Sequence, residues 1–171
     1  GSCAVLLDGR LVNTCLLVMG QISGRDIRTV EGLARPRELS ALQSAFVDAG
    51  VVQCGFCTPA MLMAIEELLE KVEEPTREQV RDALSGTFCR CTGYEQVFNA
   101  VELAVRRRKD PSYLGFIAPE FRGELRHVGK NVRKVDGYTL ARGEAAFVED
   151  RVRKGHCHLA ILGSPHAHAY I

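Results

Sequence analysis

A chain of 171 residues with 46% hydrophobic content is long enough for one ordinary domain or two small ones. It can bury a substantial core, which excludes a disordered protein. The formal net charge is +1 with 25% charged residues, so no strong field favours nucleic acid as a partner. No apolar run approaches the roughly 18 residues of a membrane-spanning helix, so we expect no membrane partner.

Residues 1–33 have the pattern of a small sheet. Apolar runs at 4–7 and 11–12 flank Asp8-Gly9, a dipeptide typical of a tight hairpin turn. An alternating stretch at 27–30 predicts a further strand.

Four helices are predicted between residues 38 and 106, because the spacing of apolar residues changes to a helical one. The predicted helices begin at Ser40, with Gln43 completing a capping box; at Thr58 as N-cap, with Pro59 in first position; at Thr76, with Gln79 completing a second box; and near Glu95. Four helices with short connections predict a compact bundle.

The remainder of the chain is less regular. Residues 107–127 mix prolines and glycines with charges and have no period, which predicts a linker. The basic residues 106–109 at the end of the fourth predicted helix are expected to stabilise the negative end of its dipole. Cys157 is interpreted as a small buried hydrophobe. Four histidines are assigned no catalytic role and are expected to line a surface or to pack, with a metal site as the alternative: His156, His158, His166 and His168.

The cysteines carry the chemistry. Cys54-x2-Cys57 and Cys89-x-Cys91 place four thiols in two close pairs that can surround one metal centre. A C-x2-C pair alone is shared by zinc sites, redox dithiols and iron-sulfur sites. Seven is an odd number of cysteines, and the tight spacing of their pairs does not suit a disulfide framework. We therefore expect reduced thiols and a cytoplasmic protein.

Residues 53–59 (QCGFCTP) and 89–94 (CRCTGY) together resemble the second 2Fe-2S domain of the molybdenum hydroxylases. This is the family of xanthine dehydrogenase, aldehyde oxidoreductase and the small subunit of carbon monoxide dehydrogenase. Residues 6–9, 29–33 and 164–169 also resemble segments of the family, so the resemblance covers nearly the whole chain.

The resemblance implies an α+β organisation with three portions and a linker. Residues 1–33 would be the C-terminal remnant of a ferredoxin-like 2Fe-2S domain, and residues 38–106 a helical, four-helix 2Fe-2S-binding domain. After the linker at 107–127, residues 128–171 would be the truncated start of the molybdenum-binding, hammerhead-like portion. Residues 158–162 would be a buried strand in that portion.

The resemblance also implies the roles of individual residues. The proximal 2Fe-2S cluster would be bound by Cys54, Cys57, Cys89 and Cys91. Cys3 and Cys15 would supply two of the four ligands of a distal cluster, which would therefore be incomplete in this chain. Gln53 and Cys91 would lie next to the pterin of the molybdenum cofactor.

Local sequence adds expectations about the surroundings of the cluster. Cys57 and Cys91 each precede a predicted helix, so two helix N-termini can direct free N–H groups at the sulfurs. Gly55 and Gly93 would let the backbone pass close. We therefore expect a cluster buried between two pairs of helices. No glycine-rich phosphate motif precedes a helix, so no flavin or nicotinamide site is visible.

The implied function is electron transfer within a molybdenum-dependent oxidoreductase, from the molybdenum cofactor through the 2Fe-2S cluster. The partners would be the molybdenum-bearing remainder, in the same chain or another subunit, and a downstream electron acceptor. The chain alone would not be catalytic, and no catalytic residue is assigned. Two alternatives remain open: a zinc-binding structural or interaction module using the same four cysteines, and a non-enzymatic electron carrier.

Overall fold

The computed structural model of the protein describes residues 2–113, 132–144 and 147–170. Within these ranges the organisation is α+β, and a small antiparallel sheet precedes a set of helices. The linker predicted at 107–127 is wrong for residues 107–109, because the preceding helix continues to Lys109. From residue 114 onward the predicted linker lies outside the described residues, as do residues 128–131 of the predicted final portion.

The sheet has three strands in the order β2-β1-β3. Its strands are β1 (Ala4–Leu7), β2 (Arg10–Asn13) and β3 (Ile27–Arg28), and both neighbours of β1 run antiparallel to it. Asp8 and Gly9 have φ values of 48° and 76°, the left-handed pair that a tight hairpin turn requires. The predicted hairpin is confirmed, whereas the strand expected at 27–30 is shorter, because Val30 turns into a 3-10 helix and is buried.

The helices are α1 (Met19–Ile22), α2 (Ala41–Asp48), α3 (Thr58–Lys71), α4 (Arg77–Ala83), α5 (Tyr94–Lys109) and α6 (Gly137–Ala141), with 3-10 turns at Thr14–Leu16, Val30–Leu33 and Glu149–Arg151. Both predicted capping boxes, Ser40 with Gln43 and Thr76 with Gln79, are present. The predicted N-cap of α3 is wrong by one residue, because Cys57 caps the helix and Thr58 lies in its first turn. Proline fits several positions of a first turn, so the sequence pattern does not fix the starting residue.

The core is built around α3, which is buried on most of its circumference. It packs against β1 and α4, while α2 lies along α5. The largest fully buried side chains of the described residues include Phe46, Leu6, Leu42, Met61, Leu62, Met63 and Ile65. This core fixes the N-terminal ends of α3 and α5 relative to each other. Because the cysteine loops precede these two helices, the core also fixes where the loops end.

The basic run at the end of α5 is paired within the protein. Arg107 lies 2.7 Å from Asp48 of α2, Arg108 donates to the carbonyl of Leu69 at 3.2 Å, and Lys109 pairs with Glu74. The side chains of Arg107 and Asp48 are each only 13% exposed. These cations therefore attach the last turn of α5 to the neighbouring elements, in addition to lying at the negative end of its dipole.

Residues 153–170 contain no strand or helix and are exposed along their length. The buried strand expected at 158–162 is therefore wrong for this structure, and Leu159 is 87% exposed. Cys157 is also exposed, contrary to its interpretation as a buried hydrophobe. A strand is stable only with a neighbouring strand and an apolar cover, and the described residues provide neither beside this segment. Within the described ranges, no helix combines the length and apolar character needed to cross a bilayer.

Candidate metal centre

Two loops bring the four motif cysteines together at the surface of the core. One loop precedes α3 and carries Cys54 and Cys57, and the other precedes α5 and carries Cys89 and Cys91. The thiols meet in two pairs across the loops. Cys57 and Cys89 share a side-chain hydrogen bond, and so do Cys54 and Cys91.

The thiols influence one another strongly. Burial, together with the Cys89 and Cys54 thiols, raises the pKa of Cys57 to about 12. For Cys91, a hydrogen bond from the backbone of Cys54 favours the thiolate, but the thiols of Cys54 and Cys89 help to outweigh it and raise the pKa. Sulfurs this close oppose one another's ionisation, so a cationic metal centre is the partner that would stabilise them as thiolates.

Cys89 has the opposite shift. Burial opposes its ionisation, but hydrogen bonds from the Cys57 thiol and from the backbone N–H groups of residues 91–93 together lower its pKa. Thr92 has φ 59°, and this left-handed residue helps to turn successive N–H groups toward one sulfur. These donors belong to the turn that ends at Gly93, the N-cap of α5, and not to the first turn of the helix, where we expected them from the sequence.

Tyr94 braces the second loop from the first turn of α5. Its hydroxyl accepts a hydrogen bond from the backbone N–H of Cys89 at 2.8 Å and donates one to the carbonyl of Thr87 at 3.2 Å. In the first loop, the Cys57 Sγ and Met61 Sδ atoms are 3.9 Å apart, and Met61 lies one turn into α3. Each loop is thus tied to the helix that follows it.

The site opens toward solvent on one side. Cys57 and Cys89 are buried, Cys91 is half-buried and Cys54 is exposed. The expectation of a centre buried between two pairs of helices is therefore wrong for the side of the site formed by Cys54 and Cys91. The reason is that all four cysteines lie in loops before helices rather than on packed helix faces. Gln53 is exposed beside them, and a Cβ at Gly93 would lie 3.3 Å from Gln53 Nε2. Gly93 thus lies in contact with the side chain of Gln53.

Cys3 and Cys15 form a separate pair at the open end of the hairpin. Cys3 precedes β1 and Cys15 follows β2, and their Sγ atoms are 3.0 Å apart. A backbone hydrogen bond of 2.9 Å from Thr14 N to the Cys3 carbonyl holds the two ends together. Among the described residues, no three His, Cys, Asp or Glu side chains converge as ligands of one metal ion. The structure therefore places these six cysteines in pairs.

Three contacts at the site were not anticipated from the sequence. Tyr94 belongs to the motif at residues 89–94, but nothing in that motif indicates which groups its hydroxyl binds. Leu140 of α6 lies over Gly55, where φ is 84° and a Cβ would come within 2.5 Å of Leu140 Cδ2. Gln43 was recognised only as a capping residue, yet its amide also reaches α6. Sequence separation hides the contacts of α6.

Comparison with known proteins identifies the class. A family model described as a 2Fe-2S binding domain matches residues 29–102. The nicotinate dehydrogenase small FeS subunit of Eubacterium barkeri is 45% identical over 107 residues, which are 63% of this chain and 68% of that protein. The chain therefore belongs to the molybdenum hydroxylase family and includes its 2Fe-2S-binding domain.

Longer relatives extend the similarity beyond this domain. The probable hypoxanthine oxidase XdhD of Escherichia coli K12 is 44% identical over 171 residues, all of this chain but 18% of that protein. The aldehyde oxidoreductase from Desulfovibrio gigas has a TM-score of 0.72 and 29% identity, over 88% of this chain and 17% of its own length. The chain thus spans less than a fifth of these two proteins.

Proposed function

We propose that Cys54, Cys57, Cys89 and Cys91 hold a 2Fe-2S cluster through which this chain passes electrons from a molybdenum-bearing portion to a further acceptor. The observation that carries the proposal is the meeting of the four thiols as two pairs across two loops. A cluster with two irons takes two thiolates at each iron, so one thiol pair can serve each. When bound, the cluster supplies reversible one-electron chemistry.

The protein's own groups suit this task. The backbone N–H groups of residues 91–93 donate to Cys89, and such donors stabilise the negative charge that thiolate ligands bring to a cluster. Tyr94 holds the backbone of Cys89 in place, and packing of α3 and α5 holds the loops. A site that keeps its shape needs little reorganisation when its charge changes, which favours rapid electron transfer.

The exposed side of the site is the proposed contact with the molybdenum cofactor. Gln53, Cys54 and the half-buried Cys91 lie on this side, beside the exposed rings of Phe56 and Phe88. Exposed aromatic residues around a polar centre are typical of contact surfaces. We propose that the pterin of the cofactor approaches Gln53 and Cys91, in the same chain or in another subunit.

The proposed reaction of the complete enzyme is oxidative hydroxylation with water as the oxygen source, and its substrate is an aldehyde, a purine, nicotinate or carbon monoxide. Cys3 and Cys15 are proposed as half of the ligand set of a second, ferredoxin-like cluster. The requirement for reduced thiols favours the cytoplasm.

The test is a pair of matched substitutions in anaerobically purified protein. Cys91→Ser removes one proposed ligand, whereas Cys157→Ser makes the same change at an exposed cysteine in the tail. We expect Cys91→Ser to lose most of its iron, its acid-labile sulfide and its visible bands, and Cys157→Ser to keep the wild-type values. Equal iron contents in both variants would refute the ligand assignment. Zinc without sulfide in the wild type would establish the structural-module alternative.

A further inference from the structure

Helix α6 and its flanks pack on the cluster domain, although the family resemblance predicts that they belong to the molybdenum-binding portion. Leu140 and Ala141 of α6 are buried at 5% and 0% exposure. Gly137 packs against Val47 of α2, with its would-be Cβ 3.4 Å from Val47 Cγ1. Arg133 Nε lies 2.6 Å from Asp48 Oδ1. Residues 132–144 are therefore attached to α2 by both apolar and charged contacts.

Gln43 connects this segment to the sheet side of the domain. Its side chain is buried, and its Nε2 donates to the carbonyl of Val30 at 3.2 Å and to that of Ala141 at 3.1 Å. Its Oε1 accepts from the backbone N–H of Ser40 at 2.8 Å. Every hydrogen of the amide group is used, so the amide fixes the position of α6 as well as capping α2.

Leu140 transmits this fixed position to the cluster loop. Its Cδ2 would lie only 2.5 Å from a Cβ at Gly55, so the side chain lies against the backbone between Cys54 and Cys57. Gly55 adopts φ 84°, a conformation that other residues adopt at a cost. A buried leucine pressed on a left-handed glycine restricts the conformations open to the loop.

We propose that residues 132–144 act as a clamp on the loop that carries Cys54 and Cys57, with Gln43 and Leu140 as its positioning residues. The clamp keeps the two sulfurs at ligand spacing by limiting opening of the loop. This inference rests on the proposed function, since it assumes that the loop binds the 2Fe-2S cluster. It adds that the segment after the linker is required for retention of that cluster.

Two variants weaken the clamp by different means. Leu140→Ala removes the side chain that covers Gly55. Gln43→Glu keeps an oxygen for the N–H of Ser40 but replaces both amide donors by an oxygen facing two carbonyls. Leu159→Ala is the control for the first, because Leu159 is exposed. Gln79→Glu is the control for the second, because Gln79 has the same capping-box role in α4 but is exposed.

The measurements are amide hydrogen exchange and the rate at which a chelator bleaches the visible bands of the purified chain. In both clamp variants we expect the rate of amide exchange at Gly55 and Phe56 to rise by about tenfold or more relative to the wild type. The rate of bleaching by the chelator should rise by a similar factor. Exchange at Ala100 and Val101 of α5 should stay as in the wild type, and both controls should behave as the wild type.

Either of two results would overturn the clamp: wild-type exchange at Gly55 and Phe56 in both clamp variants, or an equal increase in that loop and in α5. The second result would mean general destabilisation rather than positioning. Absence of iron and sulfide from the wild type would instead refute the proposed function, and the exchange pattern would then still decide for or against the clamp.

Discussion

Replacing Tyr94 by phenylalanine tests how the second cysteine loop is held. The change removes only the hydroxyl that accepts from the N–H of Cys89 and donates to the carbonyl of Thr87. Cys89 is 6% exposed, and a buried donor left without an acceptor costs about 1–3 kcal/mol. Since Tyr94 is half-buried, water replaces part of the lost bonding, and we expect a loss of about 1–2 kcal/mol in the free energy of unfolding.

The assay is urea unfolding under anaerobic conditions, followed by far-ultraviolet circular dichroism, with iron content measured beside it. Tyr113→Phe is the matched control, because the hydroxyl of Tyr113 accepts from the surface residue Arg106 at 2.7 Å and lies in no cysteine loop. Its effect should stay within about 0.5 kcal/mol. The reasoning is refuted if the two variants unfold at the same urea concentration and retain equal iron.

Three further predictions concern the scaffold. Ser40→Ala should lower the free energy of unfolding by about 1 kcal/mol, because Ser40 Oγ caps α2; a wild-type urea midpoint would contradict this. Phe46→Ala should cost about 3–5 kcal/mol, since Phe46 is fully buried, whereas Leu159→Ala should leave the midpoint unchanged. Burial raises the pKa of Glu66 above its ordinary 4.5 despite the neighbouring Arg108, so charging Glu66 disfavours the folded state. Stability of the wild type should therefore fall as the pH rises from 4.5 through the raised pKa, and Glu66→Gln should remove this component of the pH profile; identical profiles would show that the carboxylate is not penalised.

The hairpin turn and the starts of two helices could be predicted from short patterns in the sequence. Asp8-Gly9 supplies the left-handed turn of the hairpin, and the serine and threonine capping boxes fix the starts of α2 and α4. The spacing of the cysteines likewise predicted that two loops before helices would approach each other. The turn and the two capping boxes each depend on residues a few positions apart, so a pattern in the sequence contains the whole interaction.

Features that depend on distant contacts were missed or mistaken. Leu140 reaches Gly55 across 85 positions of the sequence, and no pattern around either residue indicates the contact. The apolar run at 158–162 has strand-like composition, but composition does not provide the neighbouring strand that a ladder requires. The exposure of Cys54 follows from the position of its loop at the end of α3, which the spacing of the motif does not specify.

The most direct test of the central claim is the count of iron, acid-labile sulfide and zinc in the anaerobically purified wild-type chain, together with its visible spectrum before and after dithionite. The account predicts about two irons and two sulfides per chain, with visible bands that dithionite bleaches. A colourless protein with about one zinc and no sulfide would contradict it.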